Sequence, residues 1–124
     1  MANDRALRGK ASHVKGHAAE EQVASYYQNA GATLLEKRWR GGSGEIDLIF
    51  EIQSLVVFVE VKSSRSRDRA ATHLSAAQAA RLQNAALAYV ATRPSGLLTD
   101  MRFDVALVFG AGEIEILENA IGQG

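Results

Sequence analysis

The sequence predicts an α/β fold, a central mixed β-sheet of about five strands with α-helices packed on it. Three observations predict it. Leu55-Val56-Val57-Phe58-Val59-Glu60-Val61-Lys62 is almost continuously apolar and β-branched, as in a strand covered on both faces. Two stretches of helical period, at about 16–29 and 76–92, are interleaved with strand-like stretches. Glycine- and proline-bearing turns punctuate the boundaries.

The elements follow in order. Residues 1–14 are polar, basic and without period, and read as a flexible arm. In the first helix Ala19, Val23, Tyr27 and Ala30 recur at spacings of three and four, and Gly31 supplies a stop. Ala32 to Trp39 alternates loosely as a first strand. Gly41-Gly42-Ser43-Gly44 turns into a second at about 45–51, and a hairpin turn centred on Gln53-Ser54 leads to the third at 55–62. Ser63 to Thr72 is a polar, arginine-rich loop. Ser75 is a plausible N-cap for the second helix, whose stripe is Ala79, Leu82, Ala86 and Tyr89, and Arg93-Pro94-Ser95-Gly96 ends it. Met101 to Phe109 is a fourth strand. Gly110-Ala111-Gly112 turns into a fifth at 113–117, and residues 119–124 read as a frayed tail. One domain spans residues 15–118, with no repeat and no linker.

Composition excludes several classes. With no cysteine, there is no disulfide framework, thiol nucleophile or cysteine-ligated metal site, which fits a reducing cytoplasm. No run approaches the roughly 18 apolar residues of a membrane span, so no membrane partner is expected. The formal net charge of zero, taken alone, argues against nucleic acid. The distribution tells more. Arg5, Arg8, Lys10 and Lys15 crowd the N-terminus; Lys37, Arg38 and Arg40 surround Trp39; Lys62, Arg65, Arg67 and Arg69 follow the apolar strand. Acid gathers late, in Asp100, Asp104, Glu113, Glu115 and Glu118. A neutral total can conceal a basic face, the other reading being ordinary solvated charge.

The chemistry concentrates in Gly44-Glu45-Ile46-Asp47-Leu48-Ile49-Phe50 and the strand ending Glu60-Val61-Lys62. Alternation puts Glu60 and Lys62 on one face, and the hairpin register sets Asp47 opposite Glu60. Burying such charges is costly unless they are paired or bind a metal. Magnesium and manganese prefer oxygen ligands, and magnesium takes one or two carboxylates while keeping several waters. Asp47 and Glu60 can supply those carboxylates, with Lys62 as a compact cation beside them. A metal-bound water made acidic, next to a lysine, is a hydrolytic device for phosphodiesters. Glu20 is a candidate third acid if the first helix packs its edge against the open end of the hairpin.

This arrangement resembles the PD-(D/E)xK nuclease superfamily. Gly16-His17-Ala18-Ala19-Glu20, Gly44 to Ile49, Val57 to Lys62 and Arg102-Phe103-Asp104-Val105 resemble, in this order, the bacterial YraN-like family. That family has an endonuclease-like fold related to archaeal Holliday junction resolvases. The resemblance covers about residues 15–108. It implies a restriction-endonuclease-like core and a metal-dependent nuclease acting on DNA, with branched or structured DNA as substrate. By the same resemblance Asp47, Glu60 and the carbonyl of Val61 are metal ligands, Lys62 is the catalytic lysine, and Glu20 matches the helix-borne acid. Gln78 stands about where many relatives carry a lysine, and can still hydrogen-bond a phosphate or a water.

Lys15, His17, Arg38, Arg40, Arg65, Arg67 and Gln78 are the candidate nucleic-acid contacts, flanking the site from the basic arm, the first strand, the loop after the third strand and the second helix. Trp39 between Arg38 and Arg40 either stacks on a base or packs in the core. Asp104 is either a structural hydrogen-bonding group or a ligand. Glu45 borders the glycine turn and faces solvent. His13, His17 and His73 lack a zinc-ligand spacing. One domain of this size carries one site, so cutting two strands requires a homodimer. The alternative to a nuclease is a non-catalytic module of the same fold that binds nucleic acid or a protein partner. Metal response discriminates the two.

Overall fold

Helix period and strand period occupy separate stretches of this chain, and the computed structural model separates them into layers. It describes residues 17–68 and 75–120. Lys15 and the expected basic arm lie outside those residues, as do His13, Arg69 and His73. Helix α1 runs over residues 17–29. Then come strands β1 (Thr33–Gly41), β2 (Gly44–Ile52) and β3 (Leu55–Ser63). Helix α2 (Ala76–Val90) is followed by a short 3-10 turn at Gly96–Leu98, β4 (Met101–Phe109) and β5 (Glu113–Leu117). The strands form one mixed sheet in the order β1-β2-β3-β4-β5. Among the described strands only β3 and β4 are parallel, because the connection through α2 returns the chain to the same end of the sheet. The α/β architecture expected from the sequence is therefore present, in keeping with a restriction-endonuclease-like core.

The two faces bury two cores. Ile49, Val56, Phe58, Phe103, Val105 and Leu107 pack against Leu82, Ala85, Ala86, Tyr89 and Val90 of α2. Leu48, Phe50, Val57, Val59, Ala106 and Val108 pack against Ala19, Val23, Ala24 and Tyr27 of α1. The central strand β3 feeds both, which is why it reads as a continuous apolar run. Burying each large apolar side chain contributes about 1.5–3 kcal/mol. Tyr27 stacks on Phe50 with centroids 4.5 Å apart, and Trp39 meets Tyr89 edge-on at 5.2 Å. Trp39 is thus a packing tryptophan of the α2 layer.

Local signals act as expected at most ends. Gly31 takes φ of 100° after α1, while Ala30, expected in the buried stripe, is exposed beyond the helix end. Ser75 Oγ accepts the Gln78 N–H at 3.1 Å, capping α2. Gln53 and Ser54 both take positive φ in a two-residue hairpin turn between Ile52 and Leu55, the geometry that matches strand twist. Of the expected frayed tail at 119–124, Asn119 and Ala120 are described and the remainder lies outside the described residues. The Asn119 N–H donates to Asp104, and the Ala120 N–H donates to the Phe103 carbonyl, so both residues are tied to β4.

Candidate functional site

Side-chain alternation along β2 breaks at Asp47. Leu48 and Phe50 belong to the α1 core, yet Ile46 belongs to the α2 core. On the facing strand Arg38 takes φ of 50°, between the pairs Lys37↔Leu48 and Trp39↔Ile46. A non-glycine residue in this left-handed region is strained, and such strain concentrates at functional sites. Both strands turn over at the same point. The β2–β3 ladder also ends there, its last pair being Leu48↔Val59.

Asp47 was expected directly opposite Glu60. Continued by one pair, the register would reach that position, but the strands part after Leu48↔Val59. Asp47 instead turns its carboxylate onto the neighbouring backbone, where Oδ2 accepts the Val61 N–H at 2.8 Å. This bond replaces the ladder bond that the parting strands no longer make. Glu60 and Lys62 share one face of β3, with Lys62 Nζ 4.0 Å from Glu60 Oε1 and only 16% and 13% of the two side chains exposed.

A cleft of about 260 Å³ opens where the strands part, lined by Gly44, Glu45 and Asp47 of β2, Glu60 of β3, and Gln78, Arg81 and Leu82 of α2. The carboxyl of Glu60 is pushed up to about 9. Burial is the largest cause; a hydrogen bond with Asp47 and its negative charge add to it, as does the charge of Glu20, while Lys62 opposes. Glu20 is therefore within electrostatic reach of the pair. Its own carboxylate is engaged by Arg38 Nε at 3.0 Å. Among the described residues no three His, Cys, Asp or Glu side chains converge as a ready metal-binding cluster. The donor set at the cleft is the Asp47–Glu60 pair. Two half-buried carboxyls this close need a proton or a cation between them, and a hard cation that keeps its waters fits such a pair.

The other candidates divide. Gln78 joins the cleft wall. Arg38 is held by Glu20, Arg40 Nε lies 3.3 Å from Glu45, and Arg67 forms a two-pronged pair with Glu115 while also meeting Asp68. Arg65 and His17 are exposed and line no part of the cleft. Glu45, expected to face solvent, is exposed and also borders the cleft. Asp104 is fully buried on the opposite, α1 face. It accepts the Tyr27 hydroxyl at 2.6 Å, two Arg102 N–H groups at 2.9 and 3.0 Å, and the Asn119 N–H at 3.0 Å. Its acceptor capacity is spent on structure, and burial together with Asp104 raises the Tyr27 hydroxyl. Arg81 was not singled out by sequence reasoning. Its signal was available, since it lies one helical turn after Gln78 on the same face.

The sequence matches the model of the uncharacterised protein family UPF0102 over residues 19–108. It is 49% identical over 124 residues to a UPF0102 protein of Ruegeria sp. (strain TM1040), covering 100% of both chains. It is 53% identical over 119 residues to one from Ruegeria pomeroyi, covering 96% of this chain and 97% of the relative. A UPF0102 protein of Roseobacter denitrificans is 48% identical over 122 residues, covering 98% and 95%.

Proposed function

The chain belongs to the UPF0102 family, and from the cleft it carries we propose that it is a metal-dependent nuclease hydrolysing phosphodiester bonds in DNA. The observation that carries this reading is the Asp47–Glu60 carboxyl pair beside Lys62, set at the mouth of a cleft where two strands part. The cation would be magnesium or manganese, and Asp47, Glu60 and the Val61 carbonyl are the groups that would hold it. When bound, it acidifies a water and polarises a phosphoryl oxygen.

The chain's own residues do the rest. Asp47 is oriented by the Val61 N–H, so its carboxylate is preorganised. Glu60, whose carboxyl is pushed up to about 9, would have to lose its proton to serve as a ligand. Lys62 sets its side-chain nitrogen beside the reacting phosphate, where it offsets charge building on oxygen. Glu20, braced by Arg38, adds negative potential that favours a cation at the pair. Branched or structured DNA is the substrate class. Cutting both strands takes a homodimer, since the described residues of each chain bring together one Asp47–Glu60 pair. On this reading the protein works in the cytoplasm; no helix among the described residues is long and apolar enough to cross a membrane.

The test is a cleavage assay on single-stranded, duplex, flapped and four-way-junction DNA, with structured RNA alongside. It is run with magnesium, manganese or EDTA on the wild type, Asp47→Ala and Lys62→Ala. Metal-dependent cleavage lost in both variants is the expected result. No cleavage, with equal DNA binding by all three proteins, would replace the nuclease by a non-catalytic binding module.

A further inference from the structure

We propose that Arg81 is a phosphate-binding residue of the cleft, gripping a non-bridging oxygen of the DNA strand held against Asp47 and Glu60. The proposal rests on the nuclease reading above and adds a substrate contact to it. The sheet wall of the cleft is acidic, with Glu45, Asp47 and Glu60, whereas the helix wall carries Gln78 and Arg81. Arg81 is the only cationic residue lining the cleft among the described residues. A phosphodiester is an anion approaching three carboxyl groups, and a cation on the facing wall offsets that repulsion. A guanidinium suits the task, because its planar fork matches two phosphate oxygens.

Two further observations support the assignment. Arg81 is exposed and makes no ion pair with any described residue, unlike Arg38, Arg40, Arg67, Arg93 and Arg102, which all face carboxylates. Its place over the cleft is also fixed by close packing. A Cβ built on Gly44 would sit 2.7 Å from the Arg81 carbonyl oxygen, so β2 and this turn of α2 approach closely only because residue 44 lacks a side chain. Gly44 thereby sets the distance between the carboxylate wall and the guanidinium wall. Gln78, one turn earlier, contributes a neutral hydrogen-bonding group, and Arg81 supplies the positive charge.

The experiment measures binding of a fluorescein-labelled four-way-junction DNA by anisotropy at several salt concentrations. Calcium is present as an oxygen-seeking cation. The proteins are the wild type, Arg81→Gln and Arg81→Lys, with cleavage and melting temperature followed in parallel. One lost phosphate contact predicts about tenfold weaker binding for Arg81→Gln and a salt slope lower by about one, with unchanged melting temperature. Arg81→Lys recovers most of the slope. An unchanged slope in Arg81→Gln overturns the assignment and leaves the nuclease reading intact. A melting temperature lowered by several degrees shows a structural role and also overturns it. A wild type that neither binds nor cuts any nucleic acid overturns both proposals.

Discussion

Asp47 Oδ2 accepts the backbone N–H of Val61 at 2.8 Å, across the point where β2 leaves β3. One carboxylate thus ends a ladder and faces a cleft at once. The bond fixes where Asp47 points, and it pairs a partly buried N–H that the separating strands leave over.

Substitutions at Asp47 therefore separate structure from charge. Asp47→Ala leaves the Val61 N–H without its acceptor, at a cost of about 1–3 kcal/mol. Asp47→Asn retains an acceptor oxygen and should be the more stable of the two by about 1 kcal/mol. Both should lose response to manganese. Urea melts with and without the ion check each half of this expectation.

Glu60 makes stability depend on pH. Its folded value of about 9 lies above the ordinary 4.5. Between those values the folded chain holds more protons than the unfolded one, so stability should fall as pH rises through this window. A bound cation must displace that proton, so apparent manganese affinity should rise by up to about tenfold per pH unit across the same range. Melting curves at pH 6, 7 and 8 with EDTA or manganese measure both trends. Glu60→Gln should flatten both.

On the other side of the sheet, Asp104 should matter for folding alone. Asp104→Ala leaves Arg102 and the buried Tyr27 hydroxyl without their shared acceptor, a loss of about 3–5 kcal/mol for a broken buried pair. Asp104→Asn keeps part of the network and should cost less. Denaturant unfolding gives the loss. Manganese should still raise the melting temperature of whatever folds, because the cleft opens on the opposite face.

Gly44→Ala should be more harmful than its size implies. The added methyl meets the Arg81 backbone, which cannot swing aside, and overpacking of this kind costs about 1–3 kcal/mol. A Cβ at Gly41 would instead collide with the Trp39 indole. Melting temperatures of the two alanine variants, read beside Trp39 fluorescence, distinguish the contacts: only Gly41→Ala should shift the emission.

The sequence by itself determined the layers. Period-two apolar segments, the long Val-rich run at 55–61, the Ser75 cap, Gly31 and the Gln53-Ser54 turn are local signals, and local backbone sterics and burial read them the same way in the folded chain. It also brought Asp47, Glu60 and Lys62 forward, because charge inside an apolar strand is costly enough to stand out. Only the tertiary structure decided how they meet. The break at Asp47 depends on Arg38 adopting a left-handed φ on a different strand, which no local pattern announces. Arg81 faces the carboxylates because α2 crosses β2 at Gly44, and Arg38 and Arg67 are drawn onto Glu20 and Glu115, acids far away in sequence. Periodicity follows from neighbouring residues, whereas the pairing of charges and the walls of a cleft follow from which distant segments the packed core brings together.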